Sequence, residues 1–305
     1  MTLSHELPHS FEGALALAKK YLSRSRTLVE RNLVMTEAEQ IVQAAYRLIT
    51  NKKLSRSDML LRINEPFPPQ AAEKVLVWAS QRAEGKPLQY LTGHQTFLNH
   101  EYLVGPGVLI PRPETEFLVS SAIQELSTHL PQYGIEVGLG SGAIAIELLA
   151  LFPKLKIVAS EVEPQAIRIA MKNAFLVLGA ESMKRLKVIQ SDSQTEVLGV
   201  FAQKAADFII SNPPYLDSSD PIDPDVLLYE PRAALFAASP DSLYFYREFA
   251  SHASQWLKPG GYLFLEVPHQ RAQLISELFD KKIWKIRLAQ DLTGRDRVLV
   301  AILNP

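Results

Sequence analysis

With 305 residues, 47% of them hydrophobic and 21% charged, the chain can bury a core without covalent staples and makes one large or two ordinary domains. It has no cysteine, which excludes disulfides and thiolate metal sites and suits a reducing compartment. A net charge of −1 excludes a chain built overall as a polyanion binder, yet the split is uneven: residues 1–90 hold 13 basic and 9 acidic residues (+4), the rest 19 and 24 (−5).

Residues 1–10 lack a basic stretch followed by an apolar one, and no apolar run approaches the roughly 18 residues of a membrane span, so a cytoplasmic location is expected. Residues 10–90 read as short amphipathic helices forming a small bundle. Residues 11–22 repeat apolar side chains at helical spacing, with Lys19, Lys20 and Arg24 near the end where cations suit the dipole. Thr36-Glu-Ala-Glu39 has the form of a capping box. The helix after it carries Ile41, Val42, Ala45, Leu48 and Ile49 on one face. A short helix is expected at 55–61, and Pro68-Pro69 opens another over about 70–84 that Gly85 stops.

Residues 86–113 change character. The aromatic and β-branched stretches 90–93, 95–97 and 101–104, broken by Gly93, Asn99, Gly105 and Gly107, read as a β-hairpin or extended linker. Pro113 or Thr115 starts a helix through Leu126. From Gly134 strand and helix alternate. Strands are expected at 134–137, 156–160, 187–190, 207–211, 261–267, 285–289 and 297–303, and helices at about 142–151, 164–178, 242–257 and 269–280. This is an α/β doubly wound sheet with an antiparallel end. The expected domains are a helical domain over 1–88, a hairpin linker over 89–112 and the sheet domain over 113–305. Residues 217–225, acidic and proline-containing, suit a mobile loop.

Two segments carry chemistry. The loop Gly138-Leu139-Gly140-Ser141-Gly142 follows the first sheet strand and opens a helix. Its glycines let a ligand approach the backbone closely. Its G-x-G-x-G spacing is not the G-x-G-x-x-G of dinucleotide binders. Glu161 ends the next strand, where a carboxylate accepts the hydroxyls of a ribose; as a surface acid it would do nothing. Asp192, after the third strand, is placed to bond an adenine edge, and a solvated acid is an equal reading. Ser211-Asn-Pro-Pro-Tyr215 follows the apolar run 208–210. Pro213 and Pro214 remove two backbone donors and stiffen the turn. Asn212 adds a side-chain carbonyl. The result is a cup of acceptors suited to an –NH2 group, and Tyr215 offers a flat face to cover a planar amide or base.

Glycine loop, Glu161 and Asn-Pro-Pro-Tyr turn on successive strands resemble the Rossmann-like class I S-adenosylmethionine-dependent methyltransferases. The turn resembles the branch that methylates planar amino groups on DNA adenine, RNA guanine or protein glutamine. Leu54-Ser-Arg-Ser-Asp-Met-Leu60, Gly85-Lys-Pro-Leu-Gln-Tyr-Leu-Thr-Gly93, Leu109-Ile-Pro-Arg-Pro-Glu-Thr-Glu116, Glu230-Pro-Arg-Ala-Ala-Leu235 and Asp291-Leu-Thr-Gly-Arg-Asp-Arg297 narrow this. Together they resemble the release factor glutamine methyltransferases (the HemK/PrmC family) over about residues 40–303. The chain departs from that pattern at Leu139, Ser193, Pro268 and residues 238–242.

The resemblance implies methylation of the glutamine in the Gly-Gly-Gln loop of class-one peptide chain release factors, with S-adenosylmethionine as cofactor and the release factor as protein partner. It implies cofactor contacts from Gly138, Leu139, Gly140, Ser141, Gly142, Glu161, Asp192, Ser193 and Asn212. Asn212, Pro213 and Tyr215 are the catalytic candidates, joined by Pro214 and Arg112 for substrate. An ion pair of Arg112 with Glu114 or Glu116 is as good a reading. No metal, membrane or direct nucleic-acid contact is expected: the seven histidines form no ligand pair, and His94 and His100 read as structural or surface residues. A nucleic-acid amino-methyltransferase would be expected to show a basic stripe, against the −5 balance of the sheet domain. A non-catalytic adaptor would not need Asn212 and Glu161.

Overall fold

The computed structural model describes residues 7–191, 204–237 and 241–305. Two compact units form: Met1–Gly93 with Pro224–Tyr229, and His94–Asp223 with Glu230–Pro305.

In the first unit the chain folds as α1 (Phe11–Leu22), α2 (Arg26–Glu30), α3 (Val34–Thr50), α4 (Arg56–Leu61), α5 (Pro69–Ala83) and α6 (Leu88–Thr92). Helices α1, α3 and α5 share a core in which Ala14, Ala18, Ala45 and Ala71 keep backbones close. Phe11, Tyr46 and Phe67 fill its centre, their rings 4.9–6.3 Å apart. Truncating Phe11 to Ala would cost about 3–5 kcal/mol. The expected capping box at Thr36 does not form. Helix α3 starts at Val34, with Leu33 as N-cap and no side-chain cap. Glu37 and Glu39 are buried and hold Arg82 and Arg56 instead. A capping box forms at Ser55 and Asp58, ahead of α4. Residues 90–93, expected as extended, lie in α6 and its Gly93 cap at φ 80°. Leu88 and Leu91 turn one helical face into the bundle core, and that burial overrides the β-branched composition.

The second unit begins with the hairpin β1 (His94–Phe97) and β2 (His100–Leu103). It continues with α7 (Pro113–Leu126), β3 (Tyr133–Val137), α8 (Ala143–Leu151), β4 (Lys156–Glu161), α9 (Pro164–Ser182), β5 (Leu186–Gln190) and β6 (Ala206–Ser211). After α10 (Pro224–Tyr229), which groups with the first unit, come α11 (Arg232–Leu235), α12 (Tyr244–His252), β7 (Leu257–Glu266), α13 (Ala272–Ser276), β8 (Trp284–Gln290) and β9 (Asp296–Leu303). Among the described residues the main sheet runs β5-β4-β3-β6-β7-β9-β8, parallel except at β9. Phe208 and Ile210 of β6 face the core shared with α7, α8 and α9, whereas Ile209 faces that of α12 and α13. This alternation is the two-residue period of a strand.

The expected elements at 242–257 and 269–280 are shorter and partly 3₁₀: α12 gives way to a 3₁₀ turn at Ala253–Gln255, and one at His269–Arg271 precedes α13. The loop after Tyr215 is tethered, not free. Arg271 donates to the Tyr215 carbonyl at 3.2 Å and to both Asp220 carboxylate oxygens at 3.0 and 2.6 Å.

Candidate active site

The chain leaves β3 for β4 and β5 on one side, then crosses back to β6 and β7 on the other. Such a reversal leaves a crevice at the carboxyl ends of the two central strands. Register fixes what borders it. Val137 pairs with Ser160 on β4 and Ser211 on β6, and Ser211 pairs with Leu265 on β7. The next residue on each strand is therefore Gly138, Glu161, Asn212 or Glu266. Four distant sequence segments form one row at the sheet edge.

A cleft of about 1120 Å³, its open mouth included, occupies this edge. Arg112, Gly138, Leu139, Gly140, Ser141, Glu161, Asn212, Pro213 and Pro214 line it, nine of the predicted site residues. Gly142 and Tyr215 are not in the lining. Gly142 caps α8 at φ +82°, and a Cβ there would lie 2.9 Å from Ile146 Cδ1 and 3.2 Å from Ala170 Cβ, so this glycine serves helix packing. Gly138 (φ +81°) and Gly140 (φ +55°) have open space where a Cβ would stand. Tyr215 packs against the α12 side of the sheet, and burial raises its phenol well above the ordinary range. Asp192 and Ser193 lie outside the described residues; Ser191, just before them, does line the cleft.

Glu161 is buried. Its Oε2 accepts from Gly140 N at 2.7 Å, and Oε1 from Val162 N at 2.9 Å and Glu163 N at 3.0 Å. Of the roughly four acceptor sites of a carboxylate, three are filled. Asn173, fully buried on α9, steadies the loop from below: Nδ2 donates to the carbonyls of Ser141 (2.9 Å) and Leu103 (3.0 Å), and Oδ1 accepts from Leu103 N (2.7 Å).

At the turn, Asn212 Nδ2 donates to Thr115 Oγ1 at 3.1 Å, and Thr115 Oγ1 donates to Glu266 Oε2 at 2.7 Å. Ser211 Oγ donates to the Val137 carbonyl at 2.7 Å, locking β6 to β3 just before the turn. Arg112 pairs with neither Glu114 nor Glu116. It donates to Glu230, whose other oxygen accepts from Ile110 N at 3.1 Å. Thus the Pro-Arg-Pro-Glu and Glu-Pro-Arg segments are two halves of one wall. Thr115, Glu266, Phe97 and Val108 belong to this neighbourhood without having been singled out in the sequence. Thr115 was visible in the Pro-Glu-Thr-Glu segment, but only as a helix start. Histidine His100 is structural: its Nδ1 lies 2.9 Å from buried Glu147 Oε1, which also accepts from Tyr102 OH at 2.9 Å.

Comparison with known proteins decides the family. Residues 115–226 match the methyltransferase small domain, and residues 36–93 match the PrmC N-terminal domain. The release factor glutamine methyltransferase of Moorella thermoacetica is 35% identical over 252 residues, 81% of this chain and 86% of that protein. The chain belongs to the release factor glutamine methyltransferases. The Aquifex aeolicus member of this family is 30% identical over 93% of this chain and 98% of its own length. A solved release-factor-specific protein-(glutamine-N5) methyltransferase from Alicyclobacillus acidocaldarius is 28% identical, with a TM-score of 0.42 over 67% of this chain and all of that one. Among the described residues no helix is long and apolar enough to cross a membrane.

Proposed function

We propose that this chain transfers a methyl group from S-adenosylmethionine to the side-chain amide nitrogen of the glutamine in the Gly-Gly-Gln loop of class-one release factors. The observation that carries this reading is the turn itself: the donor end of the Asn212 amide is taken by Thr115, so the end left for the cleft is an acceptor, beside two prolines that have no N–H to offer. A substrate –NH2 meets Asn212 Oδ1 and the Pro213 carbonyl there as its acceptors.

The cleft suits the cofactor. Gly138 and Gly140 leave their Cβ positions open to it, Val137, Leu139, Ile144 and Ala166 supply apolar wall, and Glu161 keeps about one acceptor site for a sugar hydroxyl. A second hydroxyl would need the Gly140 N–H bond to yield. When bound, S-adenosylmethionine supplies a sulfonium methyl open to displacement.

An amide nitrogen is a poor nucleophile because its lone pair is shared with the carbonyl, so it needs orientation more than a base. Asn212 Oδ1 and the Pro213 carbonyl would accept the two amide hydrogens and aim the nitrogen. The same acceptors stabilise the positive charge that develops on it. Tyr215 would anchor the turn: its ring is set in the core and its carbonyl is held by Arg271. The N-terminal helical unit would dock the body of the release factor. The chain should be incubated with labelled S-adenosylmethionine, a release factor and nucleic acid, and the digests read by mass spectrometry. One added methyl on the Gly-Gly-Gln glutamine supports the reading. Label on nucleic acid alone would assign the chain to the other branch, and cofactor binding without transfer would make it an adaptor.

A further inference from the structure

Asn212, Thr115 and Glu266 form a hydrogen-bonded chain that starts at the cleft and ends inside the protein. Thr115 is 6% exposed and Glu266 2%, so water is poorly placed to replace either bond. Both sit on rigid elements, Thr115 in the first turn of α7 and Glu266 at the end of β7.

We propose that Thr115 and Glu266 are positioning residues that decide which end of the Asn212 carboxamide faces the substrate. The inference rests on the function proposed above and deepens it. The two ends of a carboxamide have nearly the same shape and differ in their hydrogens. Turned over, Asn212 would present N–H to a substrate N–H2, and donor would meet donor. A hydroxyl has one proton. An ionised Glu266 has none, so the Thr115 proton must go to Oε2. The Thr115 oxygen then has only lone pairs to offer, and Asn212 must turn Nδ2 toward it. The observed distances of 2.7 and 3.1 Å fit that order.

The polarity depends on the charge of Glu266. A protonated Glu266 can donate to Thr115, whose own proton is then free to attract Asn212 Oδ1. Around Glu266 stand Glu114 and Thr115 of α7, Arg112 before it, Arg297 of β9, Tyr215 after β6 and Tyr246 of α12. Burial pushes the Glu266 pKa up, opposed by the Thr115 hydrogen bond; Glu114 raises it and Arg297 and Arg112 lower it, leaving it at about 7. The productive polarity is thus present above that pH and lost below it.

The test uses the full chain. Thr115→Val should lower kcat about 10- to 100-fold, the range for removing a group that orients a reacting one, with cofactor Kd unchanged; its melting temperature should fall, because buried Glu266 loses a hydrogen bond, so turnover is measured below the melt. Thr115→Ser, which keeps the hydroxyl, should restore most of the rate. Wild-type kcat should fall as pH drops through about 7, and Glu266→Gln should abolish that limb. Without cofactor or substrate, the Asn212 side-chain amide resonances, assigned by their loss in Asn212→Ala, should move across the same pH range in wild type and stay fixed in Glu266→Gln. The proposal is overturned by full turnover in Thr115→Val, by kcat and cofactor affinity falling together, by a limb that survives in Glu266→Gln, or by Asn212 resonances indifferent to pH in wild type. A wild type that leaves the glutamine unmethylated refutes the proposed function instead, and the resonances still report the polarity of the amide.

Discussion

An isolated asparagine can point either end of its amide at a ligand; Asn212 has one end committed, and the acceptor it leaves is worth more for being fixed in advance. Asn212→Ala should lower kcat by about 10²–10³-fold, the loss seen when one preorganised hydrogen-bonding group is removed. Cofactor Kd, measured by titration calorimetry, should hardly move. If the two fall together, Asn212 serves the cofactor and not the amide. Glu161 predicts the reverse split. Losing hydrogen bonds to a charged group costs about 1.5–3 kcal/mol, so Glu161→Ala should weaken cofactor binding roughly tenfold to a hundredfold and leave kcat at saturation nearly intact.

Glycines of one loop do different work in the element they open. Gly142→Ala would drive a Cβ against Ile146 and Ala170 at positive φ, and such overpacking costs about 1–3 kcal/mol, read as a lower denaturation midpoint. Gly140→Ala carries the strain of a side chain at positive φ but meets no neighbour, and its Cβ would enter the cleft, so it should lose more cofactor affinity and less stability than Gly142→Ala. Equal effects of the two substitutions would contradict this division. The sheet strands were readable from the residues, since buried parallel strands are near-continuous apolar runs and Gly138, Glu161 and Asn212 stand at the ends of three, whereas the short helices α2, α10 and α11 were not. What escaped reading was what only folding brings together. Thr115 lies 97 residues from Asn212 and 151 from Glu266, and Arg112 lies 118 from Glu230, with no local pattern to mark either pairing. Residues 90–93 misled for a related reason: burial of Leu88 and Leu91 in the bundle outweighed strand-like composition. Gly142 showed only that a glycine was needed, and a packing contact with α9 meets that need as well as a ligand would.

At the scale of the whole molecule, two buried carboxyls with raised pKa values, Glu136 and Glu266, set a pH slope on stability. Glu136, on the central strand β3, is fully buried, and neither of its oxygens makes a hydrogen bond. Burial raises its pKa well above the ordinary 4.5, the nearby Ala145 backbone N–H opposing this without reaching hydrogen-bond geometry and repulsion from Glu161 adding to it. The folded chain therefore holds this proton to higher pH than the unfolded chain does. Its contribution to stability is complete below the unfolded pKa and is lost as pH rises toward the raised folded one. Glu136→Gln cannot ionise and should remove the Glu136 share of that decline, which thermal melting across the pH range would record; parallel curves would show that Glu136 has no share in it.

The central claim is that a donor-poor turn holds a glutamine side chain by its two amide hydrogens. The most direct measurement is a crystal structure of the chain with S-adenosylhomocysteine and a peptide containing Gly-Gly-Gln. The account predicts the glutamine nitrogen within hydrogen-bonding distance of both Asn212 Oδ1 and the Pro213 carbonyl, and facing the cofactor sulfur. A glutamine bound elsewhere, or an Asn212 that offers Nδ2 to it, would contradict the account.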